Sequence, residues 1–481
     1  MNKKMVFSTL GQIALAEAAF LTLPLFVSLI YAEWLVALSF VIAIVVALVI
    51  GFILYYSFKT ENKLIFAKEG FVIVSFGWLL MSVIGSIPFV INGDIPSFVD
   101  AFFETVSGFT TTGASVLDNV EALSHGSLFW RSFTHWIGGM GILVFVMAVL
   151  PSISDRSIHI MRAEMPGPII GKLVPRAKET ARILYIIYLA FTVLETILLM
   201  LGDMTLFEAL VHSFGTVGTG GFGIKPDSLA SYSPYVQWVI TVFMFICGIN
   251  FNLYYLLLIR KPKSVFKSRE LWAYIGIAVA ATLIILFNTQ SEFTSISDAI
   301  RSSSFHVTSM ITSTGFSTVD YNMWPSLSKT VLVLLMFIGA CAGSTGGGFK
   351  VARIVILLKM VKQELRRVIH PRSVTAVTFE GKVLDKATIS GVGAYLAIFV
   401  LFLVVILLVI SFEPFGFETN FTTALSCLNN IGGFFAGSNQ GVTMGSYSIF
   451  SKIVLSFAML FGRLEIYPLL IALTPSTWTK K

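Results

Sequence analysis

The sequence predicts an all-α, polytopic membrane protein with ten transmembrane helices, and three observations support that fold class. Of the 481 residues, 56% are hydrophobic and only 12% are charged, whereas soluble domains carry about 25% charged residues. Apolar runs of about 20 residues, the length that a helix needs to cross the hydrocarbon core, recur along the chain. Lysine and arginine are concentrated in alternate connections between these runs. A water-soluble enzyme of this composition would aggregate.

Hydropathy gives the bounds of the predicted spans. They are 8–31, 35–58, 70–92, 128–150, 182–202, 235–259, 271–288, 328–358, 388–412 and 447–474. The first run is too long for the apolar region of a signal peptide and lacks a clear cleavage site, so we expect it to be retained. The three cysteines lie at spacings typical of neither a metal site nor a disulfide framework.

The distribution of positive charge supports the span count and gives an orientation. If ten spans alternate, 26 of the 33 Lys and Arg residues fall on one side of the membrane. The positive-inside rule then places both termini in the cytoplasm. The net charge of +7 is therefore explained by a basic cytoplasmic face, which suits the anionic headgroups of a lipid bilayer. It does not indicate nucleic-acid binding.

Four shorter stretches, all on the outer side, have related sequences. Each combines a short amphipathic helix, with an acidic residue near its start, with small polar residues and a final glycine. The acids are Asp100, Glu208, Asp298 and Glu418, and the glycines are Gly113, Gly220, Gly315 and Gly432. The glycines are 107, 95 and 117 residues apart, and a period near a hundred residues indicates internal duplication. Each stretch enters and leaves on one side, so it predicts a re-entrant pore loop.

This pattern predicts four parallel span–pore-loop–span repeats around a pseudo-fourfold pore axis. The expected divisions are an accessory helix pair at 1–66 and repeats at 67–181, 182–268, 269–386 and 387–481.

The four loops have the composition of a cation selectivity filter. Four backbone segments can replace the hydration shell of a monovalent cation with carbonyl oxygens, and glycine tolerates the dihedral angles that this requires. No carboxylate lies at the core of a loop, which argues against divalent cations. We therefore expect potassium to bind at Thr111, Thr112, Gly113, Gly218, Thr219, Gly220, Ser313, Thr314, Gly315, Asn430, Ile431 and Gly432. The alternative is that such glycine- and threonine-rich turns merely connect helices.

A glycine-rich segment at 339–348 lies in the middle of the eighth predicted span. Glycines destabilise a helix by about 1 kcal/mol each, so we expect a broken helix that acts as an intramembrane gate. Its predicted residues are Gly339, Gly343, Ser344, Thr345, Gly346, Gly347 and Gly348. The alternative is a kink that lets helices pack closely.

Arg463 lies within the tenth predicted span, where an unpaired arginine costs several kcal/mol. We expect the carbonyl groups of the broken eighth span, or Glu465, to be its partners, so that Arg463 anchors the gate. The alternative is an arginine that extends to the membrane surface.

These motifs, with Trp130-Arg131-Ser132, Gly248-Ile249-Asn250-Phe251 and Gly462-Arg463-Leu464-Glu465, resemble the Trk/Ktr/HKT superfamily of potassium transporters, specifically the bacterial TrkH type. The resemblance covers the whole chain. It implies K⁺ uptake across the bacterial plasma (inner) membrane, no bound cofactor, a homodimer with one pore per subunit, and cytosolic nucleotide-binding regulatory subunits of the TrkA type. It also implies that 339–348 and Arg463 form the gate. Gly433 departs from the family, which often has proline after the fourth filter glycine, and His135 replaces a more usual glutamine.

Four alternatives compete with a channel-like pore. A cation-coupled potassium symporter could use the same fold, and a secondary transporter with broken helices would instead show inverted repeats. An intramembrane protease would need a base beside Ser344, and none of the six histidines has a spacing that commits it to that role. A membrane scaffold would not need four loops in phase.

Overall fold

The structure, a computed structural model, describes residues 1–60, 66–141, 177–372, 376–433, 435 and 443–478. The regular secondary structure of the described residues is almost entirely α-helical. The helices are α1 (Lys3–Phe20), α2 (Thr22–Ile30), α3 (Trp34–Ser57), α4 (Ala67–Asn92), α5 (Phe98–Phe109), α6 (His125–Gly139), α7 (Ala177–Met200), α8 (Leu206–Val217), α9 (Pro234–Cys247), α10 (Phe251–Leu258), α11 (Pro262–Phe266), α12 (Arg269–Thr289), α13 (Ile296–Ile311), α14 (Ser326–Ile338), α15 (Val351–Ile369), α16 (Lys386–Ile410), α17 (Phe417–Asn429), α18 (Ile449–Arg463), α19 (Tyr467–Leu473) and α20 (Pro475–Trp478).

The helices confirm a multi-pass membrane protein but not the count of ten spans. Within the described residues, six helical segments are long and apolar enough to cross a membrane, or up to eight if each of two bent pairs is one span. The helix at the fourth predicted span ends at Gly139, and residues 142–150 of that span lie outside the described part of the chain, as do most of the basic residues predicted between spans four and five.

Three predicted spans are interrupted helices. Helices α9 and α10 meet at 90°, and α18 and α19 meet at 117°. The second bend is built by Glu465 and Ile466, whose φ angles are +58° and +62°. The eighth predicted span is divided into α14 and α15 by residues 339–350. The break in the eighth span was predicted from its glycines. The other two were missed, because hydropathy averages over apolar residues whose backbone is not helical.

The N-terminal pair, α1 and α3, packs through Gly11 and Gly51. A Cβ added to Gly11 would lie 2.8 Å from the Gly51 carbonyl oxygen, so the absence of side chains lets the helices approach closely. On α3, Leu38 and Val45 are 53% and 52% exposed. An apolar outer surface of this kind suits contact with lipid tails.

Four short helices, α5, α8, α13 and α17, precede the four glycine-containing loops. Side chains of Ser97, Thr205 and Ser295 accept hydrogen bonds from the third residue of α5, α8 and α13, which is the predicted acid in each case. These caps satisfy backbone groups that the first turn leaves unpaired. The acids also suit the positive end of the helix dipole.

One β-hairpin lies between α15 and α16 and joins β1 (Thr378–Phe379) to β2 (Lys382–Val383). Thr378 is paired with Val383, and Phe379 with Lys382. The two turn residues, Glu380 and Gly381, have φ of +47° and +75°, as a two-residue hairpin turn requires.

Candidate functional site

The four loops share one backbone conformation. The first shared position has φ of +54° to +57° although it is not glycine, at Thr111, Thr219, Ser313 and Asn430. The second, two residues later, is a glycine with φ of +80° to +84°, at Gly113, Gly221, Gly315 and Gly432. Positive φ is uncommon for residues other than glycine. Its recurrence at four related positions is typical of a functional site that the surrounding structure over-determines. We call residues 110–113, 218–221, 312–315 and 430–432 filter loops 1 to 4.

Filter loop 2 corrects the predicted alignment by one residue. The sequence predicts Gly218, Thr219 and Gly220, but the φ pattern makes Thr219, Gly220 and Gly221 equivalent to Thr111, Thr112 and Gly113. Gly218 has φ of −71° and caps the C-terminus of α8. Three glycines in four residues leave the register ambiguous in the sequence, and only the backbone resolves it.

The filter loops contact one another in a closed ring. A Cβ added to the positive-φ glycine of each loop would collide with a carbonyl oxygen of the next loop in chain order, and loop 4 meets loop 1. The pairs are Gly113 with Gly220, Gly221 with Thr314, Gly315 with Ile431, and Gly432 with Thr112. The four acceptor residues occupy the same central position in their loops. The ring therefore brings four equivalent backbone carbonyls together and leaves no room for side chains between them.

Hydroxyl and amide groups support the ring from within. Thr110 and Thr112 share a hydrogen bond of 2.7 Å between their hydroxyls, and Thr312 and Thr314 share an equivalent one of 2.8 Å. Asn430 donates to the Thr112 hydroxyl at 3.0 Å. Loops 1 and 3 therefore have the same internal bond, whereas loop 4 is bound to loop 1 by a side chain.

His135 joins α5 to filter loop 2. Its Nε2 accepts from the backbone N–H of Phe222 at 3.3 Å, so Nδ1 carries the proton donated to the Gly108 carbonyl at 2.7 Å. The side chain is fully buried. His135 is therefore a neutral side chain that bridges two backbone groups.

A buried ion pair lies beside the ring. Arg131 donates to Glu104 at 2.5 Å and to the Gly223 carbonyl at 3.1 Å. Glu104 also accepts from the Ser115 hydroxyl and from the Val116 N–H. The pair connects the segments that follow filter loops 1 and 2. The sequence analysis did not predict this ion pair. The available signal was Arg131 itself, a basic residue on the predicted outer side, where few basic residues lie.

The glycine-rich segment at 339–350, which we call the gate loop, lies beneath the ring. Gly347 donates its N–H to the Ser313 hydroxyl, and Gly348 donates to the Asn429 carbonyl at 3.1 Å. Gly339, Gly343 and Gly348 have φ of +73°, +73° and +80°. The predicted gate glycines are therefore in a non-helical segment that contacts filter loop 3 and the end of α17.

The gate loop also fills the break between α9 and α10. Cys341 donates its N–H to the Gly248 carbonyl, and Phe251 donates to the Gly343 carbonyl, both at 3.0 Å. The Thr345 hydroxyl donates to the Cys247 carbonyl at 3.2 Å. Backbone groups freed by two broken helices thus satisfy one another, as burial at membrane depth requires. The Ser344 hydroxyl donates to the Cys341 carbonyl at 2.7 Å, within its own loop.

Arg463 lies between the gate loop and the ring. It donates to the Thr345 carbonyl at 2.8 Å and to the Thr111 hydroxyl at 3.1 Å. It also donates to the Gly138 and Gly139 carbonyls, at 2.5 and 2.8 Å, where α6 ends. The predicted contact with the broken eighth span is present. The two carbonyls of α6 were not predicted as partners of Arg463.

Two further cations hold the gate loop. Buried Lys350, with φ of +83°, donates to the Gly346 carbonyl. Arg353 donates to Glu465 at 2.7 Å and lies over the Tyr395 ring at 4.0 Å. Glu465, predicted as a partner of Arg463, is therefore bonded to Arg353 and joins α15 to the bend after α18.

A family model described as "TrkH: Cation transport protein" matches residues 37–480, which is nearly the whole chain. The chain belongs to the TrkH family. Curated relatives include Trk system potassium uptake proteins TrkH. That of Salmonella typhimurium is 34% identical over 99% of this chain and 100% of the relative, and that of Vibrio parahaemolyticus is 36% identical over 95% of each. The crystal structure of the potassium transporter TrkH from Vibrio parahaemolyticus superposes with a TM-score of 0.90, at 33% identity and full coverage of both chains.

Membership of the TrkH family confirms the resemblance that the motifs indicated, and it confirms a transport protein and not an enzyme. The similarity extends across all four filter loops and both halves of the broken eighth span.

Proposed function

We propose that this protein transports potassium through a central pore whose selectivity filter is the ring of four filter loops. The observation that carries the proposal is the closure of the ring, in which Thr112, Gly220, Thr314 and Ile431 present equivalent carbonyls. Carbonyl oxygens from four segments can substitute for the hydration shell of a monovalent cation. The filter then comprises the predicted residues with Gly221 in place of Gly218.

The chemistry of the ring favours a large monovalent ion. Its oxygens come from backbone and hydroxyl groups, whereas divalent cations favour charged oxygen ligands. Among the described residues, no cluster of three or more His, Cys, Asp or Glu could hold a metal ion. The relatives are named for potassium uptake, so we assign potassium as the transported ion.

The proposed architecture has ten spans in four parallel repeats about a pseudo-fourfold axis, with the accessory pair at 1–66. The cyclic order of the loops supports parallel repeats, because inverted repeats would not bring four equivalent loops to one side. The charge bias supports cytoplasmic termini and a location in the bacterial inner membrane.

We further propose that the gate loop blocks the pore beneath the filter and that Arg463 holds it there. One arginine bound to both the gate loop and filter loop 1 supports this role. The basic cytoplasmic face supports docking of TrkA-type nucleotide-binding subunits, and a homodimer with one pore per subunit completes the proposed assembly.

A cation-coupled symporter on the same fold is the second candidate, and flux measurements separate it from a channel-like pore. We expect purified protein in liposomes to take up ⁸⁶Rb⁺ without any gradient of a second ion, with K⁺ competing more strongly than Na⁺. Uptake that required a proton or Na⁺ gradient would support the symporter. Strong competition by Na⁺ with none by K⁺ would overturn the assignment of the ion.

A further inference from the structure

A cationic cavity lies on the predicted cytoplasmic side, between α12, α15 and the β-hairpin. We propose that it binds a phosphate-bearing ligand and that bound ligand acts on the gate loop. The cavity has a volume of about 330 Å³, at the lower end of the range for small-molecule sites. It is lined by Arg269, Lys359, Lys362, Gln363, Arg366, Ala376, Val377 and Thr378.

The charges of the cavity are unbalanced. Four of its lining side chains are cationic and none is acidic. Within the part of the chain that the structure describes, no carboxylate lies within 4.0 Å of the charged groups of Arg269, Lys362 or Arg366. Lys359 is bound to the Thr378 carbonyl at 2.5 Å, which fixes its ammonium at the rim. Like charges held this close repel one another, so a polyvalent anion is favoured.

Phosphate suits this arrangement better than a carboxylate does. Two guanidinium groups offer paired N–H donors that match phosphate oxygens, and the two lysines add charge. The donors come from two helices, which lets them surround one anion. Arg269 is the first residue of α12, whereas Lys359, Lys362 and Arg366 recur at three- and four-residue intervals along one face of α15.

The adjacent face of α15 indicates a membrane lipid as one source of the phosphate. Leu358, Val361 and Leu365 are 66%, 57% and 60% exposed, and they recur at the same intervals one residue earlier than the cations. A helix with neighbouring apolar and cationic faces is typical of the membrane interface. An anionic phospholipid could place its headgroup in the cavity and its acyl chains on this apolar face. A soluble phosphate compound would use only the cavity.

The hairpin connects the cavity to the gate loop by two routes, one through hydrogen bonds and one through an apolar cluster. Glu380, at the hairpin turn, accepts from the Ser268 hydroxyl at 3.2 Å and from the Glu270 N–H at 3.0 Å, where α12 begins. The Glu270 carboxylate in turn accepts from the N–H of Ala342, in the gate loop, at 2.6 Å. In addition, Phe379 of β1 and Ala342 are buried in the same apolar cluster.

A ligand that bridges α12, α15 and the hairpin would hold this chain of contacts together. It would therefore stabilise the gate loop in the position described above and lower the flux through the pore. This second part of the inference depends on the proposed function, whereas ligand binding does not.

Binding is tested first, with full-length protein in detergent and native mass spectrometry. The probes are phosphatidylglycerol, phosphatidylcholine and inorganic phosphate. The variant Lys362→Gln with Arg366→Gln removes two cavity cations, and Lys261→Gln with Lys263→Gln makes the same charge change at exposed residues outside the cavity. We expect the cavity variant to bind phosphatidylglycerol about tenfold or more weakly than the control variant, since each basic residue near an anionic surface contributes about 1 kcal/mol.

Each outcome is informative. Selective loss of phosphatidylglycerol binding in the cavity variant supports the site with a lipid as its ligand. Selective loss of inorganic phosphate binding, with lipid binding unchanged, supports the site with a soluble ligand. Equal affinities of the cavity and control variants for both probes would overturn it.

The effect on the gate is tested by ⁸⁶Rb⁺ flux in vesicles of phosphatidylcholine with increasing phosphatidylglycerol. We expect phosphatidylglycerol to reduce flux several-fold for the natural sequence and the control variant but not for the cavity variant. If binding is lost in the cavity variant while all three proteins respond alike, the link to the gate is wrong and the site stands. Absence of flux in every protein would count against the proposed function alone.

Discussion

The ring of filter loops and the gate loop beneath it are both glycine-rich and both contain backbone at positive φ, yet different contacts hold them. In the ring, each glycine is packed against the carbonyl of an equivalent loop, as Gly113 is against Gly220. The gate loop instead contacts several unlike elements, both through backbone groups, as Gly348 does with Asn429, and through charged side chains, among them those of Arg463 and Glu270. We infer that, in the proposed pore, the ring is the fixed part and the gate loop, whose charged contacts can be exchanged, is the movable part.

The largest effect is expected from a methyl group in the ring. Gly113→Ala combines φ of +80° with a collision against the Gly220 carbonyl, so we expect potassium-selective flux to be lost. The measurement is ⁸⁶Rb⁺ uptake into liposomes with K⁺ and Na⁺ as competitors. Gly93→Ala is the matched control, because its φ is +83° but no atom lies within 4 Å of the added Cβ. Equal flux in the two variants would show that the ring does not need its close contacts.

The buried ion pair beside the ring should be the next most sensitive feature. Glu104→Gln leaves Arg131 buried with its charge unpaired, and breaking a buried pair costs about 3–5 kcal/mol of folding free energy. Glu418→Gln removes the partner of Lys329 from a partly exposed pair at 3.7 Å, which is worth at most about 1 kcal/mol. Denaturation of both variants in detergent compares them. Similar loss of stability would mean that the Glu104 pair is solvated.

Removal of the arginine that holds the gate loop should raise flux without changing selectivity. Arg463→Ala deletes hydrogen bonds from a charged donor, each worth about 1.5–3 kcal/mol, so we expect basal ⁸⁶Rb⁺ flux to rise about tenfold. The ratio of K⁺ to Na⁺ competition should stay constant.

Arg463→Lys keeps the charge but cannot reach four acceptors with one planar group, so its flux should be intermediate. Altered selectivity in Arg463→Ala would show that the ring depends on the gate loop and is not fixed independently of it.

The smallest effect is expected at His135, which contributes two hydrogen bonds and no charge. His135→Gln supplies a donor and an acceptor of its own, so stability should fall by at most about 1 kcal/mol, as for one ordinary hydrogen bond. His135→Ala leaves the Gly108 carbonyl and the Phe222 N–H without this partner and should lose about twice as much. Thermal unfolding measures the stability of both variants. If the Gln variant were as unstable as the Ala variant, the two hydrogen bonds of His135 would not explain its contribution to stability.

The sequence predicted those parts of the site that repeat or that violate a local rule. Four glycine-containing loops in phase indicated the ring, and a charged residue within an apolar span indicated Arg463. The register of filter loop 2 was not predictable, since Gly220 and Gly221 differ only in their backbone angles.

Partners that lie far apart along the chain were also beyond the sequence. Nothing local to Arg463 indicates the carbonyls of α6, and nothing local to Glu270 indicates Ala342. The breaks in the sixth and tenth predicted spans were missed because composition reports burial in lipid, whereas bending depends on contacts such as that between Arg353 and Glu465.

Closure of the ring has a consequence for the synthesis of this protein. Asn430 donates to the Thr112 hydroxyl across a separation of 318 residues, and Gly432 is packed against the Thr112 carbonyl. Filter loop 1 is therefore synthesised long before filter loop 4, the neighbour that closes the ring. Until filter loop 4 has been synthesised, filter loops 1 to 3 lack the neighbour that closes the ring. Contacts this distant in sequence form slowly, so we expect the ring to close late in biogenesis. Any truncation before Asn430 removes filter loop 4 and leaves the ring incomplete.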